Sequence, residues 1–191
     1  DLLVQLVPRI IPYSFSPSCL PSPCDRSNGS HIDILTYNVE CISYRNISKS
    51  EKIVAAIERC DADIIFLQET NPQWEKLLAT KLNEKRYPYR YFSHPSQQLA
   101  GGSAFLSRLP LRDVSTLDLT NTVKGSVFST LVATVTTVSP ASPRQIRIAN
   151  IHLRPPVNLD GTATFSTARV TGDVRDAEIR EILRVHPTID F

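Results

Sequence analysis

The run Asp63-Ile64-Ile65-Phe66-Leu67-Gln68-Glu69 decides how the rest of this sequence is read. Its apolar residues follow one another without a polar interruption and are β-branched at the start, which suits a strand covered on both faces. Two polar groups, Gln68 and Glu69, then close the run where further apolar residues would be expected. Upstream, residues 32–39 form a second strand-like run that ends in Asn38 and Val39. Between the two, Ser48 and Glu51 stand three apart, as a capping box requires, so a helix is expected to start there. Ile53, Ala56, Ile57 and Cys60 recur at the i, i+3, i+4, i+7 spacing that turns one helix face to a core, and Asp61 to Asp63 end it. Strand, helix and strand in that order make a βαβ unit: the strands are parallel neighbours with a right-handed crossover, and their C-terminal ends share one rim.

Downstream, Asn71-Pro72 supplies an N-cap and a first-turn proline, opening a second helix to about Asn83 with Trp74, Leu77 and Leu78 facing inward. From residue 89 the pattern changes to short strands at 89–92, 103–107, 114–117, 127–138 and 145–152, separated by turn residues. Such runs pair antiparallel, which makes the sheet mixed. Pro140 and Pro143 mark the hairpin between the last two. Gly101 and Gly102 permit a tight start to one strand, and Arg108-Leu109-Pro110 form its exit. A final helix is expected over 173–185, with Gly172-Asp173 at its start and Ile179, Ile182 and Leu183 on one face. Arg175 and Glu178 on that helix fit an exposed salt bridge at i, i+3. Residues 1–30 are crowded with proline and serine and read as a leader or linker, since such a stretch sustains neither a helix nor a central strand. The patterned domain covers 31–191.

The chain has 191 residues, 41% of them apolar and 21% charged, with a formal charge of +2 and no run of Lys or Arg. That is an ordinary globular domain with its own core, in which nucleic acid is permitted as a substrate but not indicated. The opening apolar stretch, broken by Pro8, Arg9 and Pro12, is too short to span a bilayer. Four cysteines, Cys19, Cys24, Cys41 and Cys60, are too few for a disulfide scaffold and lack the paired spacing of a zinc site, which favours a reduced intracellular protein. Asn28-Gly29-Ser30 and Asn46-Ile47-Ser48 are glycosylation triplets only if the protein is secreted.

Three strands end in polar groups, at Asn38, at Gln68-Glu69 and at Asn150 to His152. Ligands of open α/β sheets bind outside the carboxyl ends of strands, so these positions can converge on one cleft. Each also has a plain structural reading: Asn38 in a turn, Glu69 charging the first turn of the next helix, His152 as a partly buried, hydrogen-bonded histidine. Arg154 suits either a phosphate contact or a surface position over Pro155.

The segments Ile34-Leu35-Thr36-Tyr37-Asn38-Val39, Asp63 to Glu69, Gly101 to Pro110, and Asn150-Ile151-His152-Leu153-Arg154-Pro155 resemble, in order, signature segments of the endonuclease/exonuclease/phosphatase superfamily. The similarity covers residues 32 to about 185. It implies an α/β (α+β) fold that is part of a four-layer α/β-β/α sandwich, DNase I-like, with a mixed β-sheet flanked by helices. It also implies a magnesium-dependent phosphodiesterase or phosphatase: Glu69 holds Mg²⁺ (Mn²⁺ possible), Asn38 orients phosphate and metal, and His152 contacts or protonates the scissile phosphate. Substrates of members similar in these motifs include DNA, RNA, phosphoinositides and sphingomyelin. The family's later Gly-Asp-x-Asn and Ser-Asp-His segments do not occur in this sequence. A truncated domain with its C-terminal half missing, inactive by itself and with the inner face of one sheet exposed, is therefore the expectation. The alternative is a phosphate-binding or protein-interaction module without catalysis.

Overall fold

The computed structural model describes residues 32–95, 100–137, 143–157 and 164–189; the 1–30 leader and Pro140 lie outside them. The βαβ unit is present as β1 (Ile34–Asn38), α1 (Ile47–Cys60) and β2 (Ile64–Thr70), with β1 and β2 parallel and Asn38 opposite Gln68. The start of α1 differs from the expected capping box. Asn46 is the cap, its side chain accepting from the Lys49 N–H at 3.0 Å, and Ser48 lies inside the first turn. An asparagine at this position satisfies an amide that the helix itself leaves unpaired. The buried stripe is Ser50, Ile53, Val54 and Ile57, so Ala56 and Cys60 sit only partly inside. Asp61 ends the helix in the left-handed conformation, φ 50°.

Asn71 caps α2 (Pro72–Lys81) as expected, accepting from the Trp74 N–H at 2.9 Å; Trp74 and Leu78 are buried and Leu77 partly so. After it come β3 (Tyr89–Ser93), β4 (Gly102–Ser107), β5 (Leu111–Asp118), β6 (Ser129–Thr136) and β7 (Gln145–Asn150). They do not extend one sheet. The order β1-β2-β4-β3 forms a mixed sheet, and β5-β6-β7 form a separate antiparallel one.

This division removes the exposed inner face expected of a truncated domain. Ile64, Phe66 and Phe105 of the first sheet pack against Leu131, Ala133, Val135, Ile146 and Ile148 of the second. Phe66 and Phe105 meet edge to face, with ring centroids 5.0 Å apart. Their neighbours Ile65 and Leu67 point the other way, onto Ile53, Ile57, Trp74 and Leu78 of the helices, as the two-residue period of a strand dictates. Each such side chain, fully buried, contributes about 1.5–3 kcal/mol of hydrophobic stabilisation.

The last helix, α3 (Phe165–Val185), covers the outer face of the second sheet through Ile182, which clusters with Leu119, Val123 and Ile189 and with Leu117 and Ala149 of the strands. The layers are thus helix, sheet, sheet, helix. α3 begins eight residues before the expected start at Asp173, capped by Thr164, which accepts from the Thr167 N–H at 3.1 Å. Its buried residues are Thr167, Thr171, Glu178 and Ile182. A mostly polar buried face gives no apolar periodicity, so its first half is not visible as a helix. Leu183 is exposed, and Arg175 and Glu178 do not form an exposed salt bridge: Glu178 is fully buried. Among the described residues no helix is long and apolar enough to cross a membrane.

Candidate active site

Three strand ends meet at the rim the βαβ unit creates. On β2, the register with β4 shifts between Gln68 and Thr70, and Glu69 adopts a left-handed φ of 58°. A bulge of this kind leaves its extra residue out of the ladder and re-aims its side chain. The left-handed backbone costs a non-glycine residue roughly 1–2 kcal/mol, a strain the surrounding hydrogen bonds sustain. The Glu69 carboxylate accepts from Asn38 Nδ2 at 2.8 Å on Oε1 and from the Cys41 N–H at 3.2 Å on Oε2.

Asn38 is oriented in turn by the loop that follows it, its Oδ1 accepting from the Glu40 N–H at 2.8 Å. That loop is strapped to α2: Asn71 Nδ2 donates to the Cys41 carbonyl at 2.7 Å, and Trp74 Nε1 donates to the Glu40 carbonyl at 3.2 Å. The nearby Glu40 carboxylate is engaged by Lys49 and Ser43, and those hydrogen bonds hold it below the usual carboxylate range. It answers its own lysine instead of adding a second acid beside Glu69.

His152 comes from β7, two residues beyond the strand's last residue instead of at its end. What brings β7 here is Asn150, fully buried, whose Nδ2 donates to the Leu67 carbonyl at 2.8 Å and the Ala104 carbonyl at 3.1 Å. Gln68 Nε2 completes the stitch, donating to Asn150 Oδ1 at 2.6 Å and to Thr36 Oγ1 at 3.0 Å. This chain of amides ties the second sheet to β1, β2 and β4 directly under the rim. His152 Nε2 then lies 3.9 Å from Glu69 Oε1, an ion-pair distance too long for a hydrogen bond. Its ring stacks on Phe128, with centroids 3.8 Å apart and planes within 8°, and its Nδ1 is buried with no hydrogen-bond partner. Burial lowers the His152 pKa and the Glu69 charge works against that shift, so the net displacement is downward, toward the neutral ring.

Asn38, Glu69 and His152 are therefore together, whereas Arg154 is tied through its backbone to the last helix, its N–H donating to Glu178 at 2.9 Å. Asn150, marked in the sequence as a polar strand end, belongs to the site's construction, as does Phe128, which carries little sequence signal as one aromatic before a strand. Among the described residues no group of three or more His, Cys, Asp or Glu is placed to share a metal ion.

The endonuclease/exonuclease/phosphatase family model matches residues 35–177, a span that contains every residue of this rim. The chain belongs to that family. Solved structures agree with the family's phosphoesterase-type fold, at identities that establish fold alone. A functionally unknown conserved protein from Enterococcus faecalis V583 is 18% identical with a TM-score of 0.57, over 79% of this chain and 60% of that one. A humanized D. rerio TDP2 is 19% identical with a TM-score of 0.53, over 80% and 55%. ANGEL2, a 2',3'-cyclic phosphatase, in complex with adenosine-2',3'-vanadate, is 16% identical with a TM-score of 0.51, over 82% and 50%. The chain spans 50% to 60% of the length of these structures. No curated protein matches it in sequence.

Proposed function

We propose that this chain carries the metal- and phosphate-binding part of a metal-dependent phosphoesterase, with Glu69 as the ligand of Mg²⁺ or Mn²⁺. The observation that carries the reading is the hydrogen bond from Asn38 to Glu69 beside His152, since three strand ends supply a carboxylate, an amide and an imidazole to one point. The residues present fit such an ion. Each Glu69 oxygen accepts one hydrogen bond from the protein and keeps a lone pair, and Mg²⁺ commonly takes one or two carboxylates with water for the rest. Bound there, it would polarise a phosphate oxygen and lower the pKa of a water.

The side chains have complementary tasks. Asn38 uses one N–H on Glu69 and has its second for a phosphate oxygen, adding no charge. His152, held toward its neutral form by burial, donates a hydrogen bond from Nε2 to a phosphate oxygen, and as the imidazolium it would give up a proton to a developing oxyanion. Arg154, two residues on, is a secondary candidate for pairing with phosphate. The family's Gly-Asp-x-Asn and Ser-Asp-His segments, absent from residues 1–191, would orient the attacking water and complete the acid-base machinery. Loss of one such group costs roughly 10² to 10⁴ in rate and several are absent, so these residues by themselves are expected to be inactive or nearly so.

One observation favours the second reading, a phosphate-binding or protein-interaction module: among the described residues no three His, Cys, Asp or Glu side chains converge to share a metal ion. Hydrolysis separates the two. A whole protein that supplies the later segments is assayed with and without Mg²⁺ on DNA, RNA, a phosphoinositide and sphingomyelin. Magnesium-dependent cleavage of one class, lost in Glu69→Ala, supports the enzyme; full activity in Glu69→Ala sinks the metal assignment, and no cleavage of any class supports the module.

A further inference from the structure

His152 owes its position to two segments that are not neighbours in sequence, and one buried carboxylate grips both. On one side of the ring lies Phe128, stacked at 3.8 Å. The chain then continues from His152 to Arg154. Glu178 of α3, fully buried, accepts from Ser126 Oγ at 2.6 Å on Oε1 and from the Arg154 N–H at 2.9 Å on Oε2. Ser126 is two residues before Phe128, and Arg154 is two residues after His152. Arg175, one turn earlier on α3, adds a donor to the Arg154 carbonyl at 3.3 Å and to Thr171 Oγ1 at 3.2 Å.

We infer that Glu178 is a positioning residue for His152, closing a clamp that presses the imidazole onto Phe128 and presents its Nε2 to Glu69. A carboxylate suits the task because its two oxygens accept from two separate donors at once, whereas an amide accepts on one oxygen only. Hydrogen bonds to an ionised acceptor are also about twice as strong as neutral ones. The geometry further explains why a charge that is costly to bury stands in the middle of a helix face: its two donors belong to the two segments flanking the ring. The inference rests on the reading of His152 as the phosphate-contacting residue, but its test does not.

The test is the NMR signal of the His152 ring protons in the 191-residue protein, displaced upfield by the facing Phe128 ring and assigned with Phe128→Leu. In Glu178→Ala that displacement is expected to collapse while the Trp74 indole signal stays in place. Glu178→Gln, which keeps one acceptor, restores part of it. Ser126→Ala, which leaves the Arg154 contact and the buried carboxylate, gives a partial loss and covers the case of a Glu178→Ala chain that does not fold. Ile182→Ala loosens the packing of the same helix without touching either hydrogen bond and should leave the ring signal unmoved. An unchanged signal in Glu178→Ala or Ser126→Ala, or an equal collapse in Ile182→Ala, overturns the clamp. Because the signal reads ring geometry in the absence of metal and phosphate, failure of the phosphoesterase reading leaves this result standing, and the reverse.

Discussion

A Cβ placed on Gly102 would lie 2.1 Å from the carbonyl oxygen of Thr70, so β4 approaches β2 more closely than any side chain allows. The contact is at the bulge that turns Glu69 out of the ladder. Gly102→Ala therefore has to push the strands apart where Glu69 is aimed. Overpacking of this kind costs about 3 kcal/mol, which lowers the midpoint of thermal unfolding by roughly 6–12 °C in a chain of this size. Calorimetry of the variant checks it; an unchanged midpoint would mean that the bulge yields freely.

Gly172 behaves oppositely. It lies inside α3, and an added Cβ would meet nothing closer than 3.8 Å, at the Arg175 guanidinium. Gly172→Ala should stabilise the protein by about 0.5–1 kcal/mol, through the lower backbone freedom of alanine in the unfolded chain. Urea unfolding reads it directly. Destabilisation would argue that α3 begins at Asp173 and not at Phe165.

Asn150 tests the link between the two sheets. Asn150→Leu removes two donors from the Leu67 and Ala104 carbonyls and the acceptor of Gln68, all of them buried. Each unpaired buried group costs about 1–3 kcal/mol, so a loss of at least about 3 kcal/mol is expected. A near-neutral result in urea unfolding would show that the amide chain is incidental to sheet docking.

The pH dependence has a defined sign. The His152 pKa is lowered in the folded protein by burial, with Glu69 opposing, and that of His186 is lowered by burial and then by Arg147. Above the unfolded value of about 6.5 both states are neutral at these positions and stability is unaffected. As pH falls below it, the unfolded chain binds protons first and stability declines until the folded pKa is reached. Glu69→Gln removes the opposing charge and lowers the His152 pKa further. NMR titration of the ring signals checks both statements; a His152 pKa above 6.5, or one raised in Glu69→Gln, would contradict them.

Much of this architecture is legible in the sequence where burial is apolar. The βαβ unit, the Asn71 cap and the strand positions follow from periodicity, and the three strand-end residues from polar groups in apolar runs. What periodicity leaves unread has a physical cause in each case. α3 buries Thr167, Thr171 and Glu178, so its face carries no hydrophobic period. The separation of β5–β7 into a second sheet depends on which faces pair, and Phe66 reads the same whether it meets another sheet or a helix. Phe128 stacks on His152, and Glu178 joins Ser126 to Arg154, from segments distant in sequence, relations only the folded chain contains.

The central claim is that Glu69 binds the metal ion at the point where Asn38 and His152 stand beside it. It is tested most directly by titrating the 191-residue protein with Mn²⁺ and following paramagnetic broadening of the Asn38 side-chain amide and His152 ring signals. Broadening centred on those two groups is expected, reversed by excess Mg²⁺ and absent in Glu69→Ala. Broadening that is missing, or that persists unchanged in Glu69→Ala, would contradict it.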